Sequence, residues 1–257
     1  MSTFDWNDVL RLPDGALAGD RRIPKTVLAK QALLTKTEQK VLDKVRRVGH
    51  FATVQKSTTR IPAYVDEGRD IQSVVVLHCE MADSAAYAEV GRLLHKCFPN
   101  PTVIIFDGPG EACVSVASTR KSLAEQGVVV VDAVQSTGGF SVSDGAYKPF
   151  LDSLAFDRLS QEDLLAFVDD LKWNVRLSRG IEAVGFFPHC PEHGRSRLDD
   201  LIDRYGALSD EVEGIVTRRR TDKDLTLNEG ARLRMRLKGL EKERNAVREE
   251  IREVCRG

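Results

Sequence analysis

The hydrophobic positions are most regular in the last quarter of the chain. Leu233, Leu237, Leu240, Val247, Ile251 and Val254 fall on alternating four- and three-residue steps, interrupted only by Arg244. That spacing is a coiled-coil seam. Upstream, Leu198, Leu201, Tyr205, Leu208, Val212 and Ile215 repeat it, and the segment between the two runs, Arg218 to Asn228, is polar. The pattern predicts two amphipathic helices folded as a hairpin with its turn near 217–224. One continuous rod is the alternative, because the seven-residue spacing of Tyr205, Val212, Leu233 and Leu240 stays in phase across the gap.

The centre of the chain follows other periods. Ile71 to Cys79 is a β-branched run, Ser84 to Phe98 is amphipathic at helical spacing, and Thr102 to Phe106 and Ala112 to Ala117 are apolar enough for buried strands. Asp107-Gly108-Pro109-Gly110 between the last two predicts a tight hairpin turn. Val128 to Val134 and Phe51 to Lys56 read as further strands, and 147–155 and 160–178 as helices. Ile181 to Phe187 reads as a last strand, after which Pro188 and Pro191 break the chain. Towards the N-terminus, Lys25 to Val48 reads as one helix with Leu34, Val41, Val45 and Val48 on its apolar face and Thr35 or Thr37 as its cap. Residues 1–24, with Pro13, Gly15, Gly19 and Pro24, read as an extended arm with one short apolar helical turn around Trp6, Val9 and Leu10.

The expected fold class is α+β: a small mixed β-sheet with flanking helices, followed by a C-terminal helical coiled-coil hairpin. Three regions are expected: 1–50, arm and basic helix; 51–194, α/β core; 195–257, coiled-coil helices.

With 257 residues, 42% hydrophobic and 30% charged, the chain is able to bury one good core with an appendage or two small ones. Five cysteines, odd in number and without a CxxC pair, argue against a disulfide framework and for a cytoplasmic location. No signal-peptide-like run and no membrane-length apolar stretch is visible, so no membrane partner is expected. The net charge of -1 hides a sorting: residues 1–60 hold 12 Lys/Arg against 6 Asp/Glu, 61–194 hold 10 against 19, and 195–257 hold 16 against 14. Either the basic ends meet an acidic partner, or they fold onto the acidic middle.

Four constellations bear on chemistry. His189, Cys190 and His193 are zinc-type ligands without a second pair in sequence, so a polar turn is the plainer reading and no metal or cofactor is expected. Glu80, Asp107 and Glu111 flank the central strands, where a metal-dependent nuclease gathers carboxylates, with Lys121 as an electrostatic helper. The Glu-x-Lys step of such nucleases is missing. Lys36, Lys40, Lys44 and Arg47 form a basic stripe at helical spacing, and Arg218, Arg219, Arg220, Lys223, Arg232, Arg234, Arg236 and Lys238 surround the hairpin turn; both suit phosphate contact. Phosphate-cradling glycine loops and a nucleophile elbow are absent from the sequence.

Arg22-Ile23-Pro24-Lys25, Thr37-Glu38-Gln39-Lys40, Asp70-Ile71-Gln72, the proline-flanked strand from Phe98 to Phe106, and Leu227-Asn228-Glu229 before a heptad helix carry a family likeness. Through them the chain resembles the bacterial and archaeal family called domain of unknown function 4391. Heavy use of Arg and Ala departs from that family's Lys/Glu-rich style. The resemblance implies no activity and no catalytic residues. It implies a setting: members lie beside helicase-like and DNA methyltransferase genes in restriction-like or phage-defence clusters.

The function expected from all this is a non-catalytic accessory subunit of a DNA-targeting complex. It would dock on a helicase or methyltransferase through Leu233, Leu237, Leu240, Arg244, Val247, Ile251 and Val254, with Arg244 setting register. The same seam also suits a homodimer. A divergent nuclease and a nucleic-acid clamp are the alternatives.

Overall fold

The computed structural model describes residues 4–83, 86–125, 128–222 and 224–256. The chain divides into two compact units, Met1–Arg176 and Leu177–Gly257.

The first unit runs α1 (Trp6–Leu10), β1 (Leu17–Arg22), α2 (Lys25–Gln31), α3 (Lys36–Leu42), β2 (Val45–Gln55), α4 (Lys56–Thr59), β3 (Tyr64–Val65) and β4 (Asp70–Ile71). It continues with β5 (Ser73–Met81), α5 (Tyr87–Lys96), β6 (Thr102–Asp107), β7 (Ala112–Lys121), β8 (Val129–Ser136) and α6 (Lys148–Ser153), and enters α7 (Leu164–Ser178). Six strands form one mixed sheet in the order β1-β2-β5-β6-β7-β8, while β3 and β4 pair separately. Only β5 and β6 are parallel, because α5 carries the chain back across the sheet between them. The Asp107–Gly110 turn makes β6 and β7 a hairpin, with Asp107 opposite Ala112 and Gly110 at φ 83, where a side chain would be strained.

Strand alternation gives the sheet two buried faces. Leu77, Cys79, Met81, Ile104 and Phe106 pack with Leu28, Val41, Leu42, Val90 and Leu94 of the helices on one side. Val74, Val76, Val103 and Ile105 point the other way and are equally buried.

Three readings of the sequence give way here. The helix expected over 25–48 is two short helices and the start of β2: Leu33 adopts φ 49 between them, and Thr35 caps α3 in a capping box with Glu38. Val45 and Val48 have the three-residue spacing of a helix because a bulge in β2 turns both toward the same core. The expected arm over 1–24 contains β1, the sheet's edge strand, and Trp6 is 2% exposed. The strand expected over Ile181–Phe187 is a helical turn, α8 (Ile181–Val184), closed by Gly185 at φ 80. The start of the Ser84–Phe98 helix, at Ser84, lies outside the described residues.

The second unit contains α8 and two long helices, α9 (Arg195–Thr221) and α10 (Leu227–Val254), which pack together as a hairpin. Thr226 starts α10 through a capping box with Glu229. The seam closes inside the chain. Val247 and Ile251 are fully buried, as are or nearly are Leu198, Leu201, Tyr205, Leu208, Val212 and Ile215, whereas Leu233, Leu237, Leu240 and Val254 are half-buried.

Arg197–Glu250 at 3.7 Å, Arg204–Glu243 at 2.7 Å and Arg236–Glu211 at 3.0 Å bridge the two helices, one pair every seven residues on each. Such exposed pairs contribute about 0–1 kcal/mol each, against about 1.5–3 kcal/mol for a fully buried aliphatic side chain. The seam therefore stabilises the hairpin, and the ladder of ion pairs fixes its register.

Candidate functional site

The carboxyl ends of β5 and β6, where parallel strands commonly present chemistry, hold a polar cluster drawn from α1, β1, β2, β5 and β6 of the first unit. Register does the gathering. Arg47 lies opposite Glu80, Gly49 opposite His78, and Glu80 opposite Asp107, so all these residues share one face of the sheet. From the edge, Asp20 reaches over Gly49, the one residue there with no side chain to block it: a Cβ at position 49 would stand 1.9 Å from Asp20 Oδ1. Gly19 and Asp20 are both left-handed, at φ 67 and 49, and this kink turns the carboxylate inward.

His78 is held from both sides, with Nδ1 3.3 Å from Asp20 Oδ2 and Nε2 2.8 Å from Asp107 Oδ2. Trp6 Nε1 donates to the other oxygen of Asp107 at 2.9 Å. Arg47 donates to the Asp20 carboxylate and backbone carbonyl, and lies 3.4 Å from Glu80. Burial opposes a charge on His78, but the hydrogen bonds and charges of Asp107 and then Asp20 outweigh it and raise its pKa above the ordinary value. Carboxylate oxygens beside both ring nitrogens favour the protonated ring over the neutral one. Held this way it ties β1, β5 and β6 together, and Asp20, Arg47 and Trp6 complete the tie.

Glu80 and Asp107, singled out from the sequence as nuclease carboxylates, are thus brought together but engaged by Arg47, His78 and Trp6. Glu111 sits in the β6–β7 turn with its side chain against Gly139, and its backbone carbonyl accepts from the Tyr87 hydroxyl at 3.1 Å. Lys121 is at the opposite end of the ten-residue strand β7, about 30 Å from the turn. There its ammonium donates to the carbonyls of Asp66 and Glu67.

The N-terminal basic stripe is divided: Lys36 and Lys40 lie on α3, Lys44 pairs with Glu89, and Arg47 is in β2 within the His78 cluster. Cys190 is buried and His189 and His193 are exposed; among the described residues no three His, Cys, Asp or Glu side chains gather as a metal site.

The hairpin tip is different. Residues 216–238 contain eight Lys/Arg against three Asp/Glu, and Lys223 among them lies outside the described residues. Arg218 pairs with Asp222 at 3.5 Å, and Arg236 belongs to the ladder. Glu229 is drawn below the ordinary carboxylate range by hydrogen bonds from Thr226 and more weakly by the charge of Arg218. Arg234 donates to the Gly230 carbonyl. Arg219, Arg220, Arg232 and Lys238 have no carboxylate partner among the described residues, and all four are exposed. Arg244, in the seam, is half-buried with its Nε lacking a hydrogen-bond partner.

A mixed six-stranded sheet with a self-closed helical hairpin defines an α+β protein with two charge clusters of opposite character. A family model described as Domain of unknown function (DUF4391) matches residues 10–243, and the chain belongs to that family. No curated protein and no solved structure matches it. No helix among the described residues is long and apolar enough to cross a membrane.

Proposed function

We propose that the protein is a non-catalytic accessory subunit of a DNA-targeting assembly, and that the tip of its hairpin meets nucleic acid. The restriction-like or phage-defence setting, beside a helicase or methyltransferase, is what the family resemblance implies. The observation carrying the reading is the set of unneutralised cations Arg219, Arg220, Arg232 and Lys238. Such groups bind phosphates without reading sequence, with an affinity that falls steeply with salt.

Docking through the seam takes a different form once α9 covers it. A protein partner packs on the outside of the closed hairpin, and Leu233, Leu240 and Val247 serve the partner by holding α9 and α10 together. The nuclease alternative has less support, because Glu80 and Asp107 are engaged by protein cations and donors.

The test is fluorescence anisotropy of the full chain against a short labelled DNA duplex over a salt series. The expected outcome is that Arg219→Ala, Arg220→Ala and Arg232→Ala combined lower the slope of log affinity against log salt by about three. An unchanged slope, or no binding even at low salt, rejects the reading.

A further inference from the structure

The sheet has two edges, and they are finished differently. β1 is blunted by the left-handed kink at Gly19 and Asp20, a break in register and the charges of Arg21 and Arg22. β8 is apolar: Val129 and Val134 are 42% and 36% exposed, and among the described residues no strand pairs with its outer side. Along it, under the last turns of α5, runs a groove of about 560 Å³ lined by Val129, Val130, Val131, Val134, Phe98 and the stems of Arg92 and Lys96. An exposed β-branched edge beside an apolar groove is what a β-sheet presents when a further strand is to be added.

Charge narrows the occupant. The one carboxylate of β8, Asp132, is neutralised by Arg69 at 2.8 Å and Arg120 at 3.2 Å. Lys96 is held by Glu38, whose carboxyl that bond, together with hydrogen bonds from Thr35, pulls down to about 2. Arg92 is exposed and has no carboxylate partner among the described residues. The rim of the groove is therefore positive, with no free carboxylate among the lining residues. A second copy is a poor occupant, because it would set Arg92 and its counterpart on the same rim. The bulge at Asp132, which is skipped between the pairs Thr119–Val131 and Ser118–Ala133, also interrupts long edge-to-edge pairing.

We propose that β8 and the groove under α5 form a docking edge for a short extended segment of another protein, one that carries aliphatic side chains and an acidic side chain on the same face, at every second position. Its backbone pairs along Val129–Val131 on the N-terminal side of the bulge, its aliphatic side chains fill the groove, and a carboxylate on that same face of the added strand meets Arg92. This surface shares no residue with the hairpin tip, so its failure leaves the nucleic-acid reading untouched.

The test uses the full chain and a capped synthetic peptide with valine and glutamate at successive positions of one face and threonine at every position between, followed by amide chemical shifts and by anisotropy of the labelled peptide. The expected result is shifts at Val129–Val131, affinity about tenfold weaker in Arg92→Glu, and no binding of the matching valine–lysine peptide. Three results overturn the proposal: no β8 shifts at millimolar peptide, equal binding by Arg92→Glu, or equal binding of the valine–lysine peptide. A concentration-dependent dimer in sedimentation that Val129→Lys disperses also overturns it, by making a second copy the occupant.

Discussion

The end of β5 and β6 and the tip of the α9–α10 hairpin are built from the same kinds of residue, yet their charges have opposite fates. In the sheet, Asp20, Arg47, His78, Glu80 and Asp107 pair with one another across strands, with Asp20 Oδ1 left without a hydrogen-bond partner. At the tip, Arg219, Arg220, Arg232 and Lys238 are left over after Asp222, Glu211 and Glu229 have been engaged by Arg218, Arg236 and the Thr226 cap. Charge density along a sequence therefore does not measure what is available to a partner. Pairing geometry does, and it commits the first cluster to stability while leaving the cations of the second unneutralised for the binding proposed above.

The contrast breaks most completely where the frame that carries the tip is removed. Val247→Asp places an unpaired carboxylate at a fully buried seam position and is expected to cost about 3–5 kcal/mol, melting α9 and α10. The helical circular dichroism signal and the affinity for DNA should fall together. Gly49→Ala acts on the other side of the comparison. Its methyl displaces the Asp20 carboxylate from His78 and Arg47 and is expected to cost about 2–3 kcal/mol in urea unfolding, with DNA binding by the folded protein unchanged.

Two histidines of the sheet sharpen the contrast through pH with opposite signs. The pKa of His78 is raised, so its contribution is complete below the unfolded value of about 6.5 and is lost as pH rises through the folded value. His95, buried between the hydroxyls of Thr102 and Ser115, is pushed by burial down to about 3. Its contribution is present above about 6.5 and is lost as pH falls. Urea midpoints across pH should show the wild-type advantage over His78→Gln shrinking toward alkaline pH, and that over His95→Gln shrinking toward acid. The smallest effect on folding belongs to the tip: Arg219→Ala with Arg220→Ala should leave stability within about 0.5 kcal/mol while lowering the salt slope of DNA binding by about two.

What could be read from the sequence follows the range of the interactions. The seam of α9 and α10, the Asp107–Gly110 turn and the Thr35 cap rest on local spacing, and all are visible there. β1 escaped because a kinked, charged edge strand has no apolar alternation, and its one signal, Gly19-Asp20, also fits an irregular arm. The His78 cluster escaped because Asp20 lies 58 positions from His78 and Trp6 lies 101 positions from Asp107. No periodicity links residues so far apart. His78 and Glu80 could be placed at the end of a strand, but which groups would face them depended on strand order and on a missing side chain at Gly49.

The ladder of Arg197–Glu250, Arg204–Glu243 and Glu211–Arg236 has a consequence for how such a hairpin changes over time. Deleting seven residues from both helices at matching rungs would leave each remaining charge facing its partner and shorten the reach by about 10 Å. Deleting three would rotate the seam out of contact. The hairpin is a ruler graduated in heptads, whose length is free to drift in whole steps while its register is held.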